Sequence, residues 1–151
     1  MAFSSIISGT VFLLSIPPLY LSITSSGLLM RYEEKTKKAA KYSNEAGRQL
    51  QKTRTTQGAA IIACVASTIT AACLAFIKST KITSTIVALL NAAACAGART
   101  YVSGFWRGAA RVPGAGDYND AVRSTDQAVA WLGPLAGAWV GLAGYVGVFG
   151  A

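Results

Sequence analysis

A chain of 151 residues with 52% apolar and only 13% charged residues amounts to one domain, and it is too poor in charge for a soluble one, where about a quarter of residues are charged. Its net charge of +8 does not point to nucleic acid, because no basic stripe interleaved with aromatics accompanies it. The cations lie beside apolar stretches, where anionic headgroups and cytoplasmic retention account for them.

Residues 1–30, 55–77, 82–98 and 127–151 carry no charge. A helix crosses a hydrocarbon core about 30 Å thick with roughly 17–25 residues, so each stretch is long enough or nearly so. The expected fold is all-α, a four-helix transmembrane bundle in a single integral membrane domain over residues 1–151. Its spans lie at about 3–30, 55–77, 82–105 and 125–150, with connecting loops 31–54 and 106–124.

The first span lacks a basic n-region, since Arg31 is its first cation, and its apolar run exceeds an h-region; it reads as a retained span. Pro17 and Pro18 predict a kink, with neighbours satisfying the freed carbonyls. Residues 31–54 are the most charged segment. Glu33 with Lys37 and Glu34 with Lys38 have favourable i,i+4 spacing, which predicts helical extensions broken near Ser43-Asn44 or Gly47. The second span is rich in small residues (Ala59, Ala60, Ala63, Ala66, Ser67), which let membrane helices approach closely. The short turn Lys78-Ser79-Thr80-Lys81 makes spans two and three antiparallel neighbours. Span three ends near Arg99 and Tyr101, and a Gly/Pro-rich loop follows at Val112-Pro113-Gly114-Ala115-Gly116. Span four carries Trp131, Trp139, Tyr145 and Phe149, with Asp126 read as its N-terminal acidic partner and Thr125 or Ser124 as its cap.

With an even number of spans, loops 31–54 and 99–126 share one side and hold all basic residues except Lys78 and Lys81. The positive-inside rule then puts both loops in the cytoplasm and both termini on the opposite side. Cys64, Cys73 and Cys95 all fall inside spans at no metal-like spacing, so they read as small apolar residues; no metal is expected. The absence of histidine removes the commonest general base and the Ser-His-Asp and Cys-His arrangements. No carboxylate lies at the centre of a span, which argues against a proton- or ion-coupled transporter.

The most specific local pattern is Arg99-Thr100-Tyr101-Val102-Ser103-Gly104-Phe105, followed by Arg107 and Arg111. Arginines at a helix end snorkel and a tyrosine there anchors the interface. The same residues also make an anion-binding rim, with guanidinium groups for carboxylates and the Tyr101 hydroxyl as a neutral donor.

This run resembles the end of the third helix in the membrane-associated eicosanoid and glutathione metabolism proteins, a group that includes the microsomal glutathione transferases. Size, four spans, orientation and a basic first loop are similar too. The resemblance implies a homotrimer in an internal membrane such as the endoplasmic reticulum. It implies glutathione held between subunits at the cytoplasmic face and a lipophilic small molecule entering from the membrane lipids. Tyr101 matches the motif's first tyrosine, Arg31 a basic binding position, and Arg54 with Gln57 the start of the family's second helix. Arg99 belongs to the same binding set. Arg111, or Arg107, then stands near the arginine that stabilises the thiolate. A cation lowers a thiol pKa from about 8.5, and arginine acts there only electrostatically. The chain departs from the family at Gln57 and Ala60, where the family has Asn and Glu, and at Phe105, which replaces a second tyrosine.

Residues 130–139, Ala-Trp-Leu-Gly-Pro-Leu-Ala-Gly-Ala-Trp, resemble the final helix of small four-span proteins related to fungal anthrone oxygenases, which implies action on a polyketide. The small-residue helix faces fit a third reading, a non-catalytic scaffold or assembly subunit packed against larger membrane partners. Enzyme and scaffold both stand open on the sequence.

Overall fold

The computed structural model describes residues 2–40, 44–77, 79–107 and 116–149, with side chains from Ser5 to Glu34 and from Gln51 through the later segments. The chain forms α1 (Ala2–Ala40), α2 (Asn44–Phe76), α3 (Lys81–Trp106) and α4 (Gly116–Phe149). Each helix contains a stretch long and apolar enough to cross a membrane: Ser5–Glu34, Gln51–Phe76, Lys81–Trp106 and Gly116–Phe149. Four such helices mark a multi-pass integral membrane protein. The side chains of Lys35 to Arg48, the turn residue Lys78 and the loop centre Val112–Ala115 lie outside the described part.

Helices consecutive in sequence pack on each other, and α4 closes the ring against α1. Among the described residues the diagonal pairs α1–α3 and α2–α4 make no backbone approach. The inward faces follow three- and four-residue steps. On α4 they carry Thr125, Ala128, Leu132, Leu135, Trp139, Leu142 and Val146; on α1 they carry Ser8, Val11, Ser15, Pro18, Ser22, Ser25 and Leu29. A mean step of 3.5 residues keeps a seam facing its partner along the full length.

The two faces differ in bulk. Helix α4 supplies most of the large buried side chains, joined by Val11 and Leu29 of α1 and Val102 and Trp106 of α3, while much of the remaining inward surface is Ala60, Ala63, Ala71, Ala88, Ala92 and Ala98 of α2 and α3 and the serines of α1. Large residues, mostly on α4, thus fill space that small ones leave on the other helices. The outer surface is the apolar one, with Ile6, Leu13, Tyr20, Ile62, Ile69, Leu90 and Val140 exposed. Outward threonines hide their hydroxyls on their own helix: Thr10 donates to the Ile6 carbonyl at 3.0 Å and Thr70 to the Ala66 carbonyl at 2.6 Å.

Helix α1 runs helically through Pro17 and Pro18, with Pro18 turned into the bundle. Helix α3 starts at an N-cap, Thr80, whose Oγ1 accepts from the Thr83 N–H at 3.3 Å. Helix α4 begins at Gly116 with Asp117 in its first turn, so residues 116–124, expected in the second loop, are helical. The cap expected at Ser124–Asp126 is therefore not a cap. Thr125 sits inside the helix, buried, and donates to the Ala121 carbonyl at 2.8 Å.

Candidate functional site

The inward serines and threonines meet polar partners on facing helices. Three cross-ties join α1 and α2 among the described residues. Thr68 Oγ1 donates to Ser15 Oγ at 2.9 Å, Ser25 Oγ to Gln57 Oε1 at 2.8 Å, and Arg54 Nη2 to Glu33 Oε2 at 2.7 Å. The residue numbers rise on α1 as they fall on α2, the register of an antiparallel pair. Helical rise separates the first two levels by about 15 Å and the next two by about 12 Å along α1.

Two further bonds bridge the diagonal between α2 and α4. Gln57 Nε2 donates to Thr125 Oγ1 at 2.8 Å, and Trp139 Nε1 donates to Ser67 Oγ at 2.7 Å. Only long side chains span that gap, which is why a glutamine and an indole occupy these places. Gln57 has both ends of its amide engaged, one on α1 and one on α4. In hydrocarbon an unpaired amide is costly, so its two partners fix the rotation of three helices at one level.

Glu33 is buried at 4% exposure, and the Arg54 guanidinium reaches it from the surface, its side chain 62% exposed. Arg54 Nε also donates to both carboxylate oxygens, at 3.0 and 3.3 Å. The fork thus covers the acid and ties the loop-side ends of α1 and α2. Next to this pair, the Tyr32 ring of α1 meets Tyr118 of α4 at 5.3 Å in a tilted arrangement, and Tyr118 lies 6.3 Å from the Trp106 ring of α3. Leu29, Val102, Ala121 and Val122 complete this second apolar cluster.

The residues singled out by sequence divide into two groups. Arg54, from the surface, and Gln57, from the interior, engage partners of the same chain. Arg31, Arg99, Tyr101 and Arg107 are exposed. Tyr101 OH donates to Thr55 Oγ1 at 3.3 Å, linking α3 to α2. The Arg99 guanidinium lies across Gly133 of α4, where a Cβ would come within 3.1 Å of its Nη1. Helical rise puts Arg99 about 27 Å from Lys81, close to the full hydrocarbon thickness, so the two cations stand at opposite membrane edges. Arg107 closes α3, its N–H donating to the Ser103 carbonyl at 2.9 Å. Arg111 lies outside the described residues. Among those described, no group of three or more Cys, Asp or Glu side chains is arranged to hold a metal ion.

Sequence reasoning paired Glu33 with Lys37 along one helix and did not single out Ser25, Ser67, Thr125 or Trp139 as polar partners. A signal for the serines was present: Ser8, Ser15 and Ser22 recur every seven residues in an otherwise apolar span.

No family model matches the chain, and neither the curated proteins nor the solved structures contain a significant match.

Proposed function

We propose that this protein is a small multi-pass membrane subunit that works by packing against other membrane-embedded chains, as a scaffold or assembly component, with its two basic loops in the cytoplasm. The observation that carries this reading is the use made of Arg54 and Gln57. Both are among the polar groups best suited to hold a small anionic ligand, and both are engaged inside the chain, by Glu33 and by Ser25 with Thr125. A polar interior committed to its own helices, with an apolar exterior, favours a rigid body that presents surfaces.

A second reading keeps the glutathione-dependent transferase, supported by the exposed Arg99, Tyr101 and Arg107 on one stretch of α3. In that reading Arg107 or Arg111 stabilises a glutathione thiolate for attack on a lipophilic electrophile. One experiment separates the two. The detergent-solubilised particle is sized, and its melting followed, with and without millimolar glutathione, alongside conjugation of a model electrophile. Assembly predicts no response to glutathione and recovery with a partner chain. The transferase predicts a stabilised trimer whose turnover falls in Arg107→Ala or Arg111→Ala.

A further inference from the structure

Helix α4 has a second regular face, directed away from its core residues. Ala130, Pro134, Gly137, Gly141 and Gly144 follow one another at three- and four-residue steps, and all are exposed. A Cβ on Gly137, Gly141 or Gly144 would meet nothing within 4 Å. Nothing inside the chain therefore requires glycine there, although glycine weakens a helix relative to alanine. Gly137 and Gly141 have the G-x-x-x-G spacing that lets two membrane helices bring their backbones together. Pro134 adds an acceptor to this face, because it offers no N–H to the Ala130 carbonyl one turn earlier.

Charge says what covers this face. At its loop-side end the stripe continues with Asp126 and Arg123, both exposed and neither ion-paired within the chain among the described residues. They are one turn apart, about 4.5 Å along the axis. In a two-fold pair of parallel helices, identical residues stand at the same height. Each Arg123 then stands one turn, about 4.5 Å, from the level of the partner's Asp126, within reach of its long side chain, so two diagonal pairs form and the face is complementary to itself. An unrelated helix would need its own matching acid and base at this spacing.

We propose that a second copy of this chain docks here, α4 against α4, in the same membrane orientation. The pairing rests on the assembly reading and names its partner. The small residues bring the backbones close, and the reciprocal Arg123–Asp126 pairs set the register at the membrane edge.

The test uses the full chain in phosphatidylcholine vesicles, with self-association read by energy transfer between labelled copies as lipid is added. Gly137→Leu and Gly141→Leu should each weaken association by at least about tenfold, since bulk at such a face holds the backbones apart. Arg123→Asp and Asp126→Arg should each weaken it, and the double exchange should restore it, a rescue that independent damage to folding would not give. Ala130→Cys, with Cys73→Ala, should cross-link two copies on oxidation. A monomeric wild-type chain, a trimer, or association unmoved by these changes overturns the proposal. Recovery with a different membrane protein whose binding survives the α4 substitutions overturns it too, while leaving the assembly reading standing.

Discussion

Gln57 is the residue on which the largest number of helices depend. Its amide accepts from α1 and donates to α4 while its backbone belongs to α2. Interhelical hydrogen bonds in membranes average roughly 0.6 kcal/mol each. Gln57→Leu, which keeps the volume and removes both bonds, should therefore cost about 1 kcal/mol in reversible unfolding from mixed micelles. Ser22 provides the contrast. Its buried hydroxyl has only the weak Cys64 thiol beside it, so Ser22→Ala should leave stability within about 0.5 kcal/mol of wild type, or raise it. A loss at Ser22 equal to that at Gln57 would show that burial of a hydroxyl, not its pairing, governs stability in this interior. Gln57 was visible in the sequence as a polar residue in an apolar stretch. Its partners were not, because serine and threonine are common in all four helices and only the rotation of each helix selects which ones turn inward.

At the scale of an element, α1 and α2 form a pair whose register is written in three cross-ties. That register is testable without reference to function. In a chain whose three native cysteines are changed to alanine, Ser15→Cys with Thr68→Cys should oxidise to an intrachain disulfide, since the parent oxygens lie 2.9 Å apart. Peptide mass spectrometry reads the bond. Ser8→Cys with Thr68→Cys, two turns out of register, should not form it. The helices themselves were legible as uncharged stretches, because hydrocarbon excludes charge so strongly that composition alone marks a span. Their ends were less so. Asp117, Asp120 and Arg123 made the start of α4 read as loop, although a helix carries charge freely once it leaves the hydrocarbon. Glu33 has a partner in Arg54 that sequence spacing did not show, while the Lys37 side chain lies outside the described residues. Spacing along one helix suggests Lys37, whereas contact with Arg54 requires two helices to be folded back on each other.

For the molecule as a whole, the basic loops bear on orientation. Lys78 and Lys81 are the only cations between α2 and α3, whereas the other two connections and the helix ends beside them hold the rest. Positive charge on short loops retains them in the cytoplasm. A cysteine placed at Gly116 should react with an impermeant maleimide only after the cytoplasmic side is opened, and one at Ser79 should react from the opposite side without permeabilisation. The reverse pattern would invert the proposed topology. A bundle of four helices with small residues on the second and third was readable from composition. That α4 supplies most of the bulk at the centre was not, since its Leu132, Leu135 and Trp139 resemble lipid-facing residues until the bundle is closed.

That unequal sharing of bulk makes drift in this sequence directional. Fully buried small residues such as Ala71 and Ala88 have little room to grow, and buried large ones such as Leu132 and Trp139 can scarcely shrink without leaving a void. Divergent descendants of such a chain should conserve size at these places more strictly than chemical identity, and should vary most freely on the lipid-facing sides of the first two helices.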